Sequence, residues 1–176
     1  MTKDPRVRVE RAADLAAAER ARHGGFMRLA LAQAGRNPKR PFGAVIVERA
    51  SGAIVAEAVN AVEVSPLLHG ETAAIDACAR ARGGRDIAWA SFSLYTTAEP
   101  CPMCAAAIAW TGIGEVIVGT DTPTLARLGI DQLHLGCAEV LAAAPFYRGR
   151  MVTGVLVAET DRMYADWART VVPRGS

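Results

Sequence analysis

Two short motifs carry residue types suited to holding a metal ion and moving protons: His69-Gly70-Glu71, and Glu99-Pro100-Cys101-Pro102-Met103-Cys104. One imidazole and two thiolates fill three of the four tetrahedral positions around zinc and leave the fourth for water, as in a catalytic rather than a structural site. Zinc lowers the pKa of such a water from 15.7 toward about 7, which makes hydroxide available at neutral pH. Glu71 is not an expected ligand; its chemistry is proton transfer beside the ion.

The spacing fits that assignment. Cys101 and Cys104 are three residues apart and share a helix face if Pro102 lies in the first turn, where proline is tolerated. A helix N-terminus also favours the thiolate form of both sulfurs. His69 and Glu71 are two apart and diverge in mid-helix, so they can converge only where a helix begins. The apolar spacing of Ala73, Ala74, Ile75, Ala77 and Cys78 begins just there. The alternatives are a disulfide or two core thiols for the cysteines, and an ordinary core position for the histidine. The carboxylate two residues after His69 and the proline pattern around the cysteines argue against both.

These residues must be held by a scaffold that the rest of the chain describes. At 176 residues, with 51% hydrophobic and 22% charged content, the chain suits one globular domain with a proper core. Four cysteines at irregular spacing, two of them assigned to metal, argue against a disulfide framework and for a reducing, cytoplasmic compartment. Cys78 is expected in the core; Cys137 suggests the same and no other role. No apolar run approaches the ~18 residues of a membrane span, and no signal-peptide segment opens the chain. The last five residues, 172–176, resemble the remnant of an engineered protease site and are set aside. The net charge of +2 is uneven: residues 1–40 hold ten Lys/Arg against four acids, residues 41–176 ten against fourteen. A solvated helix face or a nucleic-acid contact would each explain the basic start.

Residues 9–22 read as a helix stopped by Gly24-Gly25, an N-terminal helical extension over about 1–24. Helical spacing resumes from Phe26 to Gly35. A hairpin follows, Gly43 to Glu48 and Ile54 to Val59 around Ser51-Gly52. The pattern then predicts a helix over 69–82, a strand over 92–96, a helix over 101–111 and a strand over 115–119. A Thr/Pro-rich turn, a short helix over 138–143, a strand over 152–158 and a helix over 160–170 complete it. Strands alternating with helices after a hairpin predict a three-layer α/β/α fold with a mixed five-stranded central sheet, one domain over 1–171.

Together, H-x-E and P-C-x-x-C resemble the signature of the cytidine/deoxycytidylate deaminase superfamily, and the nucleobase branch near bacterial guanine deaminases in particular. The similarity runs from about Phe26 to Trp167. It includes Pro41-Phe42-Gly43-Ala44-Val45-Ile46-Val47, Asn60, His69-x-Glu71, and Leu94-Tyr95-Thr96-Thr97 leading into the cysteine motif. The resemblance implies one zinc per chain on His69, Cys101 and Cys104, with Glu71 catalytic. It also implies that Asn60 hydrogen-bonds the base, in preference to the plain turn role that Asn often takes after a hairpin, and that backbone near Ala44 floors the pocket. Glu99-Pro100 is similar to guanine and tRNA-adenosine deaminases, whereas Gly70 is more similar to fungal cytosine deaminase. Guanine deaminases carry an acidic pair where this chain has Asp131-Gln132, so one charged acceptor for an aminated ring edge is replaced. Trp110 is either a pocket wall or core packing. Trp167 as a lid and Asp166 as a polar contact stand against simple packing of an amphipathic last helix.

The implied activity is zinc-dependent hydrolytic deamination of a small free base or related ring: guanine-like, cytosine-like or aminotriazine. The alternative is a tRNA adenosine deaminase, which needs phosphate contacts near the pocket mouth. From Thr111 to the end of the part kept, the basic residues are only Arg127, Arg148, Arg150, Arg162 and Arg169, which favours the small substrate. A homodimer with the cysteine helix at its interface is also implied.

Overall fold

A computed structural model describes residues 7–84 and 86–172; residues 173–176 of the suspected tag remnant lie outside the described residues. The elements are β1 (Arg8–Arg11), α1 (Ala17–Gly35), β2 (Gly43–Glu48), β3 (Ile54–Val59), α2 (Gly70–Ala81) and β4 (Phe92–Ala98). They continue with α3 (Pro102–Thr111), β5 (Glu115–Thr120), α4 (Thr122–Arg127), α5 (Cys137–Ala143), β6 (Arg150–Thr153) and α6 (Val157–Val171).

The strands form one mixed sheet in the order β1-β6-β5-β4-β2-β3. β4, β5, β6 and β1 run parallel, while β2 is antiparallel to both β3 and β4. Period-two alternation sorts the side chains between the faces. Ala44, Ile46, Leu94, Val116, Val118 and Met151 point to the layer of α2, α3 and α5. Val45, Val47, Tyr95, Ile117 and Val152 point to α1. The architecture is the expected three-layer α/β/α, with six strands rather than five.

The sixth strand comes from the segment expected to be helical. β1 pairs with β6 in register Arg8 to Arg150, and Arg150 forms ion pairs with Glu10, with Glu19 on α1 at 2.8 Å and with Glu115 on β5 at 3.4 Å. Helix α1 then runs straight through Gly24-Gly25. Two interior glycines cost roughly 1 kcal/mol each against alanine, but Met27, Ala30 and Ala34 are completely buried against the sheet, and tertiary packing overrides the local preference.

Two smaller differences have equally local causes. The expected Thr/Pro-rich turn is helix α4, started by Asp121, whose carboxylate accepts from the Thr124 amide at 2.8 Å. β6 stops at Thr153 and α6 begins at Val157, because left-handed Gly154 (φ 77°) and Leu156 (φ 51°) redirect the chain. No described helix is long and apolar enough to cross a membrane.

Candidate active site

Helices α2 and α3 aim their N-termini at one point. His69 is the N-cap of α2, with extended backbone (φ −70°, ψ 164°), and Glu71 lies in the first turn. Cys101 is the N-cap of α3, Pro102 opens the helix and Cys104 follows one turn in. Neither cap side chain bonds its own helix backbone; the extended backbone at each cap leaves it beside the first-turn residue, and so residues two and three apart share a site.

The His69 Nδ1 to Cys101 Sγ separation is 3.6 Å, and Cys101 Sγ to Cys104 Sγ is 3.7 Å. Around tetrahedral zinc with ordinary bond lengths these separations come to about 3.6 Å and about 3.8 Å. All three donor atoms lie within 4.8 Å of one another. The donor set and its dimensions fit zinc, and fit it with three protein ligands. A second grouping, Glu19, His23 and Glu115, meets the same spacing, but there the Arg150 guanidinium hydrogen-bonds Glu19 and pairs with Glu115 at 3.4 Å; it is an ion-pair network.

The three donors also share protons among themselves. Hydrogen bonds from Cys104 and His69 pull the Cys101 thiol down to about 4, despite its partial burial. Cys104 is pushed up by its contact with Cys101 and by burial. His69 is raised by its bond to Cys101. Glu71 is buried, and desolvation raises its carboxyl above the usual range. The Thr96 hydroxyl, 3.1 Å from Glu71 Oε1, holds that carboxyl in place.

His69, Glu71 and Cys101 line a cleft of about 600 Å³, with Cys104 buried behind them. Asn60, Asp131, Gln132 and Trp167 line it too. Asn60 keeps the turn role as well: its Oδ1 accepts from the Val62 amide at 3.2 Å. Trp167 stands edge-on to Phe42 at 5.4 Å and donates from Nε1 to the Lys39 carbonyl at 3.1 Å, so α6 packs along the side of the cleft. Val172, from the suspected tag remnant, also lines the cleft and packs against the cluster around Tyr164.

Three expected positions fall outside the cleft. Ala44 is fully buried in β2 and is not among the lining residues. Asp166 is on the outer side of α6, paired with Arg169. Trp110 is neither wall nor core: it is 78% exposed and packs on half-exposed Phe146, ring centroids 4.8 Å apart.

Three sets of residues take a place in the site that their motifs alone did not assign. Thr96 shares its sheet face with Leu94, and strand alternation alone would have aimed it at α2 and hence at Glu71. Glu99 lines the cleft and bonds two distant amides. Lys39 and Arg40 stand at the mouth; both belong to the basic stretch 1–40, and only the fold brings them beside the cleft. Gly70 gains a physical reason. A Cβ there would sit 2.6 Å from the Phe42 carbonyl oxygen, so glycine answers backbone contact, whatever the substrate.

The cytidine and deoxycytidylate deaminase zinc-binding region matches residues 20–120, more than half of the chain and inclusive of every metal donor. The chain belongs to this family. It is 40% identical over 93 residues to the guanine deaminase of Bacillus subtilis, covering 52% of this chain and 57% of that protein. The chain thus spans little more than half the length of that relative. It is 31% identical over 117 residues to a probable cytosine deaminase of Schizosaccharomyces pombe, covering 64% of this chain and 70% of the relative. A solved structure from a study of A-to-I editing by tRNA:A34 deaminases superposes with a TM-score of 0.64 at 26% identity, covering 79% of this chain and 98% of that one. The fold is therefore shared with that structure, and the relatives that the chain is similar to are named for different substrates.

Proposed function

We propose that this chain hydrolyses the exocyclic amino group from a small free nucleobase or related aminated ring and releases ammonia. The observation that carries the reading is the shared cleft: a three-donor metal site and a buried carboxyl open onto the same space. Zinc, when held by His69, Cys101 and Cys104, supplies an activated water. Glu71 would take one proton from the attacking water and give it to the ring nitrogen as the C–O bond forms, then take the remaining hydroxyl proton and give it to the amino nitrogen as the C–N bond breaks and ammonia leaves. Phe42 and Trp167 offer aromatic edges and faces against which a ring packs. Asn60, Asp131 and Gln132 offer polar contacts to the ring's edge.

The guanine and cytosine deaminase relatives support a free base. A second reading, adenosine in tRNA, is favoured by Lys39 and Arg40 at the mouth and by the tRNA deaminase fold match. Against it, Glu63 and Asp131 line the same mouth, and Arg40 Nε faces Glu63 at 3.9 Å. Mixed charge is a poor phosphate track. Ammonia release across guanine, adenine, cytosine, isocytosine, ammeline and their nucleosides tests the first reading; turnover of tRNA with salt-dependent binding, and none of free bases, would replace it. The exposed Trp110–Phe146 pair on α3 and the α5–β6 connection supports a homodimer through the cysteine helix. A Trp110→Asp protein that keeps the wild-type mass in solution would exclude that interface.

A further inference from the structure

We propose that Glu99 is a positioning residue for the substrate-recognition segment around Asp131 and Gln132. The inference rests on the reading above, in which that segment meets the ring. Glu99 Oε2 accepts from the Thr122 amide at 2.8 Å, and Oε1 accepts from the Cys137 amide at 2.8 Å. Thr122 is the first residue of α4 and Cys137 the first of α5. One carboxylate therefore grips both helices that flank the segment, and its charge is matched to the N–H groups at their starts. The Glu99 amide is itself fixed to the Thr120 carbonyl at 2.8 Å.

Between those helices the chain has little other support. Ile130 is anchored, buried beside Leu125, Ala98 and Tyr164, and its amide bonds the Leu125 carbonyl at 3.1 Å. Among the described residues, no amide or carbonyl of 131–135 bonds to another backbone group. Asp131 and Gln132 thus owe their place to how the segment's ends are held, and Glu99 holds both. Glu99 is also two residues before Cys101, so the clamp ties the recognition segment to the metal-bearing turn.

The test compares Glu99→Gln, Glu99→Asp and Asp131→Asn in the zinc-loaded enzyme. A glutamine keeps one acceptor and turns an NH2 toward the other amide. We expect Glu99→Gln to keep one zinc per chain and kcat within about threefold, while KM for the preferred ring rises at least about tenfold, as for one lost charge-assisted hydrogen bond. Discrimination between rings should narrow, and Glu99→Asp, too short to span both amides, should fall between. Amide hydrogen exchange of the wild type gives a check that needs no variant: Thr122 and Cys137 should be protected together. Unchanged KM and ring preference in Glu99→Gln, or fast exchange at those two amides, overturns the assignment. Loss of zinc from Glu99→Gln overturns it too, because the residue would then serve the cysteine turn. An Asp131→Asn variant with wild-type KM sinks the recognition reading itself, whereas altered KM there with an inert Glu99→Gln sinks only the clamp.

Discussion

Replacing Gly70 by alanine probes a close backbone approach between the start of α2 and the start of β2. The new Cβ would lie 2.6 Å from the Phe42 oxygen and 3.2 Å from its carbonyl carbon. A comfortable carbon–oxygen contact needs several tenths of an ångström more, and the obstacle is backbone at the start of β2, not a movable side chain. Overpacking of this kind costs about 1–3 kcal/mol, and the helix-propensity gain of up to about 1 kcal/mol offsets part of it. A net loss of about 1–2 kcal/mol corresponds to roughly 2–8 °C in Tm for a chain of this size. Because Gly70 sits between His69 and Glu71, relief of the clash moves the metal ligand and the proton carrier, and misplacement of order 1 Å can lower kcat by about 10². Gly25 is the control: a Cβ there meets nothing within 4 Å, so Gly25→Ala should raise stability by up to about 1 kcal/mol without touching activity. Thermal denaturation and ammonia release on both variants decide it. A Gly70→Ala protein as stable and as active as wild type would refute the close-contact reasoning.

Three other perturbations address separate parts of the account. Glu71→Gln should retain zinc while turnover falls by about 10²–10⁴; turnover within a few-fold of wild type would mean that another group moves the protons. Gln132→Asp restores a second charged acceptor in the cleft and should raise the guanine rate relative to other rings by one to two orders of magnitude, about the worth of a charged hydrogen bond; an unchanged substrate profile would remove this position from specificity. Buried His23, which bonds the Tyr95 hydroxyl at 3.0 Å and faces Glu19, Arg22, Glu115 and Arg150, has its pKa lowered, chiefly by burial. The unfolded chain binds a proton there below about pH 6.5 that the folded chain resists, so stability present above that pH is lost as pH falls through it. Urea midpoints at about pH 7.5 and about pH 5.5 should differ less in His23→Gln than in wild type, and an equal difference would place the acid sensitivity elsewhere.

The metal donors were legible because their chemistry needs particular side chains at a particular spacing, and helix starts are marked by local signals such as Pro102. The sheet's two faces were legible from alternation. What escaped the sequence depends on contacts distant along the chain. Whether Val9 and Glu10 join a helix or a strand is settled by Arg150, about 140 residues away. Gly24-Gly25 breaks a helix in isolation but not one pressed on a sheet. Gly70 resembled a substrate marker until the Phe42 carbonyl gave it a steric cause. Trp110 is apolar enough for either core or pocket, and only the direction of α3 places it outside both. Asp121-Thr122-Pro123 was a readable helix start hidden by its turn-like composition. Glu99 could be noticed as a motif residue, but not as a clamp, since its two partners are 23 and 38 residues downstream.

The central claim is that His69, Cys101 and Cys104 hold one catalytic zinc beside Glu71. Metal analysis of the purified protein and of Cys104→Ala, run alongside ammonia release on the best substrate, tests it most directly. The account predicts one zinc per chain in the wild type, with activity lost on chelation and restored by zinc, and neither metal nor activity in Cys104→Ala. Full activity in the chelated protein, or in the variant, would contradict it.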